Sequence, residues 1–216
     1  MNKTIFSDEQ YSVEKFVLGP LRTNCYVIIN ENNNAVVIDP GYCSKVLTDW
    51  LESKNINLTT VLLTHGHFDH ILGMKMFPNI PIFVHENDME LLLDNDKNAA
   101  KTFNLSVEYN KNNIINFTDD FTIPCDNINF KTIHTPGHTE GSTTYLAFNK
   151  ILFTGDAIFA GTVGRCDLWG GSEEKTKETV KKISRLKEDY LIYPGHGKLS
   201  TLNDEKLNNP YFLQNR

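Results

Sequence analysis

The sequence predicts a layered fold of mixed strands and helices, on three observations. Short β-rich runs bounded by turn residues recur from end to end, and helical periodicity is confined to a few stretches. Strands and helices also fail to alternate in the regular way that a doubly wound parallel sheet requires. Strands are expected over residues 13–18, 25–30, 35–39, 60–64, 82–85, 128–132, 143–148, 151–154 and 190–193. They are rich in Val, Ile, Phe, Tyr and Thr, which suit a pleated, half-buried surface.

A helix over residues 43–54 aligns Val46, Leu47, Trp50 and Leu51 in one apolar stripe suited to packing on a sheet. A similar pattern covers 86–93. The third helix starts at the N-cap Ser172, with Glu173 and Glu174 in its first turn, and runs through Val180, Ile183 and Leu186 to Lys187. Its acidic start and basic end match the helix dipole. The Asn-rich stretch 94–116 reads as a long loop or insertion with weak structure.

The chain has 216 residues, with 21 Lys and Arg against 27 Asp and Glu, a net charge of −6 that argues against a nucleic-acid partner. Its apolar runs, such as 61–63 and 151–153, fall far short of the roughly 20 residues that cross a bilayer. Residues 1–9 lack the apolar core of a secretion signal and carry acidic side chains that a transit peptide avoids. The expectation is a single-domain, cytoplasmic, monomeric protein with no membrane partner. Cys25, Cys43, Cys125 and Cys166 form no Cys-x-x-Cys pair and read as reduced thiols.

Chemistry concentrates in Thr64-His65-Gly66-His67-Phe68-Asp69-His70, after the buried-looking run Thr60-Val61-Leu62-Leu63. At this chain's composition such a His-x-His-x-Asp-His string would arise by chance in roughly 5 of 10,000 chains of this length. So many imidazoles in one turn crowd each other unless a metal organises them. Imidazole and carboxylate without thiolate suit Zn, Fe or Mn, whereas Ca or Mg prefer all-oxygen surroundings. A turn after a strand can aim His65 and His67 one way and Asp69 and His70 another, so two adjacent metals fit the motif. Further donors stand in Gly-rich turns at strand ends: His138 in Pro136-Gly137-His138, Asp156 in Gly155-Asp156, and His196 in Gly195-His196-Gly197. His85 and His134 read as structural, with His134 near enough in sequence to support His138.

The order His65, His67, Asp69, His70, His138, Asp156, His196 resembles the metallo-β-lactamase superfamily. Thr135-Pro136-Gly137-His138-Thr139 and Phe153-Thr154-Gly155-Asp156 are most similar to its glyoxalase II branch. The resemblance implies an αββα sandwich with its site on one edge. It assigns His65, His67 and His138 to one divalent metal, most often Zn, and Asp69, His70 and His196 to a second, with Asp156 bridging. Hydrolysis of a small-molecule thioester follows, S-lactoylglutathione or a related 2-hydroxyacyl thioester, with a hydroxide bridging the metals as nucleophile and Asp69 orienting it. Retention of His67 favours this over diiron redox relatives, which carry Glu there.

Two features depart from full-length glyoxalase II. Only 20 residues follow His196 (216 − 196), so the helical glutathione-binding domain is not expected. Arg165 keeps the basic position that contacts glutathione in the family, but Asp167 stands where an aromatic is usual. Arg165 is nevertheless the candidate for binding a substrate carboxylate. The Gly-Arg-x-Asp segment also occurs in the superfamily's persulfide dioxygenases, which use one iron, and that is the alternative reading beside other hydrolases of the superfamily.

Overall fold

The computed structural model describes residues 2–214. Sheet one contains β1 (Lys3–Ser7), β2 (Tyr11–Leu18), β3 (Thr23–Asn30), β4 (Asn34–Ile38), β5 (Asn57–Leu62), β6 (Ile82–His85) and β7 (Ile114–Phe117), in that spatial order. Its first four strands form an antiparallel meander, and β4 to β7 run parallel. Parallel neighbours need crossovers. These are α1 (Lys45–Ser53), then α2 (Phe68–Ile71) with the 3₁₀ turn after it, and then α3 (Met89–Leu93).

Sheet two takes β8 (Thr122–Cys125), β9 (Ile128–His134), β10 (Thr143–Ala147) and β11 (Ile151–Gly155). After a small ribbon of β12 (Ile158–Phe159) and β13 (Thr162–Val163) and the helix α4 (Glu173–Ser184), it is completed by β14 (Leu191–Pro194) and β15 (Ser200–Thr201). Helices α5 (Leu202–Asn208) and α6 (Pro210–Gln214) follow.

The period of two along each strand sorts side chains into three apolar layers. Tyr26, Ile28, Val36, Ile38 and Leu62 of sheet one meet Phe130, Tyr145, Phe153 and Tyr193 of sheet two. Their neighbours Val27, Val37 and Val61 point the other way, onto Leu47 and Leu51 of α1. Leu152 and Ile192 on the outer face of sheet two pack under Val180 and Ile183 of α4, Leu202 of α5 and Phe212 of α6. The result is the expected αββα order.

Two expectations are corrected. Half of sheet one is built from parallel crossovers, which the sequence hid because its crossover helices are short. Strands β1, β7 and β8 were not anticipated; each is short and lies at a sheet edge, and β8 carries Pro124, an edge-strand residue. The stretch 94–116 is, as expected, mostly loop, with 3₁₀ turns at Ala100–Phe103 and Lys111–Asn113 before β7; it is pinned by Asn98, fully buried, which donates to Leu91 O at 2.8 Å and accepts from Ala100 N at 2.9 Å. Asn-rich composition here means side chains that cap turns. All four cysteines are free, as expected, and no helix among the described residues is long and apolar enough to cross a membrane.

Two buried tyrosines tie the sheets together near one edge. Tyr145 donates to Leu63 O at 2.6 Å and Tyr26 to Pro194 O at 2.7 Å. Tyr145→Phe strands a buried carbonyl at constant shape, which costs about 1–3 kcal/mol. Urea unfolding should register that loss as a lower midpoint with an unchanged m-value.

Candidate metal centre

Every sequence-predicted ligand lies beyond the carboxyl end of a strand. His65 to His70 follow β5, His138 follows β9, Asp156 follows β11 and His196 follows β14. Strands β9, β11 and β14 point the same way in sheet two, so their exits share one edge. Turns there present ligands from a rigid scaffold.

The structure brings all seven residues together. His65, His67 and His138 offer one ligand atom each within 4.8 Å of one another, and so do Asp69, His70 and His196. Asp156 spans the two trios: its Oδ1 is 3.4 Å from His70 Nε2, and its Oδ2 is 3.6 Å from both His138 Nε2 and His196 Nε2. Backbone clearance makes this possible. A Cβ at Gly195 would lie 2.2 Å from Asp156 Oδ1, and Gly155 turns at φ +49° with its missing Cβ 2.3 Å from Thr64 Oγ1.

A surrounding shell sets which ring nitrogen is bare. His138 Nδ1 donates to Arg165 O at 2.6 Å, and His196 Nδ1 donates to Leu21 O at 3.1 Å. His70 Nδ1 lies 2.8 Å from Asp39 Oδ2. Thr64 gives its hydroxyl proton to the same Asp39 oxygen at 2.7 Å, so it accepts from His65 Nδ1 at 3.0 Å. Four Nε2 lone pairs are thereby turned inward. Buried His65 Nε2 and Asp156 Oδ1 have no hydrogen-bond partner among the described residues, and His67 Nδ1 faces His138 Nε2 at 2.8 Å. Unpartnered buried acceptors of this kind are costly in a dry site. The set of imidazole and carboxylate atoms fits divalent metal of the zinc, iron or manganese type.

The electrostatics are those of a cation site. Burial, reinforced by His70, His138 and His67, holds His65 well below the usual imidazole range. His67 is pushed down to about 3 by burial and by His138. Burial works against ionisation of Asp156, yet His70, His138 and His196 hold its carboxyl below the usual carboxylate range. His70 is also opposed by burial, but Asp69, Asp39 and Asp156 raise it well above an ordinary histidine. Burial opposes His196 too, but Asp69 and Asp156 raise it, so without metal imidazolium charge offsets part of that of the three carboxylates.

Two functional residues escaped the sequence reading. Asp39, at φ +51° after β4, binds Thr64 N, Thr64 Oγ1 and His70 Nδ1. The sequence reading placed it only as the last residue of a strand. Asp88, fully buried at the start of α3, accepts from Gly66 N at 2.8 Å, Thr139 Oγ1 at 2.8 Å and Gly141 N at 2.6 Å. It couples the His65–His70 turn to the His138 turn, and burial raises its carboxyl above the usual range.

His134 does not support His138. It stacks on His85 at 4.3 Å and 8°, and both rings meet Asp119 Oδ1, at 2.9 and 2.8 Å. Nearly parallel ring planes leave no point in line with both nitrogen lone pairs, so this trio is a hydrogen-bonded clasp between β6 and β9. Arg165 lies outside the ligand cluster. Its exposed guanidinium forks onto Asp167 at 2.6 and 2.7 Å, while its carbonyl orients His138.

Residues 18–196 match the metallo-beta-lactamase superfamily, and the chain belongs to it. It is 31% identical over 212 residues to a hydroxyacylglutathione hydrolase, GloC, of Haemophilus influenzae, covering 93% of this chain and 97% of the relative. A probable metallo-hydrolase of Bacillus subtilis, YqgX, is 28% identical over 200 residues, covering 90% and 94%. Among solved structures, the BLEG-1 B3 metallo-beta-lactamase superposes with a TM-score of 0.86 at 31% identity, covering 93% of this chain and 99% of that one. The di-iron-bound form of TTHA1623 follows at 0.80 and 27%, covering 91% and 98%.

Asp39→Asn tests the surrounding shell. An amide turns N–H toward Thr64 Oγ1 or His70 Nδ1, so one tautomer is lost while shape is kept. Zinc affinity should fall about 10–100-fold, measured by competition with a chromophoric chelator.

Proposed function

We propose that this member of the superfamily is a binuclear metal-dependent hydrolase of acyl thioesters of small thiols. The observation that carries the reading is Asp156, one largely enclosed carboxylate within 3.6 Å of His138 and His196 and 3.4 Å of His70, between two complete trios. A one-iron dioxygenase would leave Asp69, His70 and His196 gathered with no ion to hold. The sequence likeness to GloC supports thioester as the bond that is cut.

His65, His67 and His138 would hold one ion and Asp69, His70 and His196 the other, with Asp156 between them; zinc is the proposed metal, and iron or manganese would satisfy the same donors. When bound, the metals supply Lewis acidity and lower the pKa of water from about 15.7 toward 7. Asp69 then fixes the direction of attack. Its Oδ2 is committed to Thr23 Oγ1 at 2.8 Å and lies 3.1 Å from His196 Nε2, so Oδ1 is left to accept a proton from the attacking water. Burial of Asp39 and Asp88 keeps competing water from the ligand supports. The departing thiol, with a pKa of about 8.5, leaves as thiolate with little help from an acid.

Arg165 is the proposed contact for an anionic group on the thiol carrier. It borders a groove of about 570 Å³ that also includes Lys177 and Tyr211, and a ligand carboxylate would take the fork now held by Asp167. The proposed setting is a cytoplasmic monomer acting on small molecules.

Chelator-sensitive hydrolysis of S-lactoylglutathione, with about two metals per chain on the same sample, is the direct test. Asp156→Ala should lose bound metal and turnover together; normal metal content with retained turnover would overturn the assignment. Arg165→Ala should raise KM about three- to tenfold for an anionic thiol ester and leave kcat within about twofold, as expected for loss of one exposed charge-assisted contact.

A further inference from the structure

Beside the second trio lies a small apolar cavity of about 210 Å³. Leu18 and Leu21 from the β2–β3 turn, Tyr42 from the loop before α1, Phe68 of α2, and Phe103 and Leu105 from the Asn-rich stretch form its walls. Asp69 and Thr23 lie at its floor, and Asp69 is the only charged residue lining it. The cavity therefore opens directly on a residue of the metal centre. Its mouth is unusually apolar, since Leu21 and Phe103 are 42% and 51% exposed.

The wall is held in place. Phe103 stacks on Phe68 with ring centroids 4.7 Å apart. The 3₁₀ turn Ala100–Phe103 that carries it is bracketed by left-handed residues, Ala99 at φ 66° and Asn104 at φ 54°. An alanine in that conformation costs free energy that the surrounding structure must supply. On the other side, Gly19 at φ +68° lets the β2–β3 turn close on Tyr42, where a Cβ would stand 2.6 Å from Tyr42 Cβ.

We propose that this cavity receives the acyl arm of the substrate and that the arm is apolar, an aliphatic chain or phenyl-bearing group of about four to seven carbons. The proposal rests on the thioester reading and names its substrate class. At roughly 30 Å³ per water-sized group, the volume holds about seven such groups. A lactoyl arm ends two carbons beyond the carbonyl and leaves most of the apolar wall in water. A longer apolar arm covers it, at a gain of about fourfold per buried methylene. A charged or polyhydroxylated arm would be desolvated there against Leu, Phe and Tyr with no partner. The larger groove bordered by Arg165, Glu173 and Lys177 carries charged side chains of both signs and suits the thiol carrier instead.

The test uses metal-loaded protein and two readouts. The first is kcat/KM for acetyl, lactoyl, hexanoyl and phenylacetyl esters of one thiol, N-acetylcysteamine. The second is calorimetric affinity for acetate, hexanoate and phenylacetate, which needs no turnover. Hexanoyl and phenylacetyl should exceed lactoyl by at least tenfold, hexanoate should bind at least tenfold tighter than acetate, and Phe103→Ala should reduce both ratios to within about threefold. Phe103→Leu should restore most of each ratio, and thermal melting checks that both variants are folded. Equal affinity for hexanoate and acetate, preference for lactoyl, or ratios that survive Phe103→Ala would overturn the proposal. Absence of chelator-sensitive turnover of every ester would instead remove the thioester reading, and the carboxylate affinities would still decide whether the cavity takes an apolar arm.

Discussion

Three carboxylates, Asp39, Asp69 and Asp156, converge on the fully buried ring of His70, at 2.8, 3.5 and 3.4 Å. That much negative charge in a dry site is unfavourable without compensating cations. The histidines around it are mostly unable to provide them: burial and mutual repulsion keep His65 and His67 neutral. Against burial, the carboxylates around them raise both His70 and His196, yet two imidazoliums against three carboxylates still leave the centre anionic. The fold has therefore assembled a pocket whose deficit is a cation, with Nε2 atoms already bare and pointing inward. Metal affinity and the architecture of the edge are two aspects of one electrostatic constraint.

Such a constraint requires a scaffold that does not relax when the charge is uncompensated. The ligands come from both sheets, so separation of the sheets at this edge would relieve the repulsion. Direct backbone links oppose it. Asn24 N of sheet one donates to Gly195 O at 2.7 Å, and Thr143 N of sheet two donates to Thr64 O at 2.8 Å. Gly195 N in turn donates to Gly155 O at 2.8 Å, locking the His196 turn to the Asp156 turn. Asp88 adds a third tie from within the site, and its own cost of burial is offset by three donors. Each link touches the residue next to a ligand, so the metal geometry is preorganised before any ion arrives.

The seven clustered residues were legible because metal donors are chemically distinctive and four of them share one short turn. The mixed layered class was legible from strand periodicity, and the sandwich only through the family that those same residues resemble. What stayed hidden has a common physical character. Asp39 and Asp88 work through partners distant in sequence: Asp88 reaches Gly66, Thr139 and Gly141, which are 22, 51 and 53 positions away. A single acid beside a turn carries no local mark of such a role. The same holds for His134, whose nearness to His138 along the chain suggested support, whereas the stacking of one sheet on the other directs it to His85 and Asp119. Edge strands were missed because pairing on one side only needs little hydrophobic pattern.

The Asn-rich stretch shows how low apparent information can conceal a functional wall. Asparagine at 95, 98 and 110 caps its turns with side-chain hydrogen bonds, so the segment holds a defined path with few apolar residues. Those few are then free to be displayed. Phe103 and Leu105 are placed beside Asp69 by the polar framework around them. The two sides of the reaction centre consequently differ in chemistry: aromatic and aliphatic next to Asp69, charged next to the carbonyl that orients His138. On the thioester reading proposed above, an unsymmetrical substrate, with one apolar and one polar arm about a cleavable carbonyl, is the shape such a centre discriminates. Metal ligands common to a superfamily cannot supply that asymmetry, because they surround the carbonyl alone. It resides in segments where this chain's own composition is most biased, and on the proposed reading specificity is a property of the 94–113 framework and the β2–β3 turn.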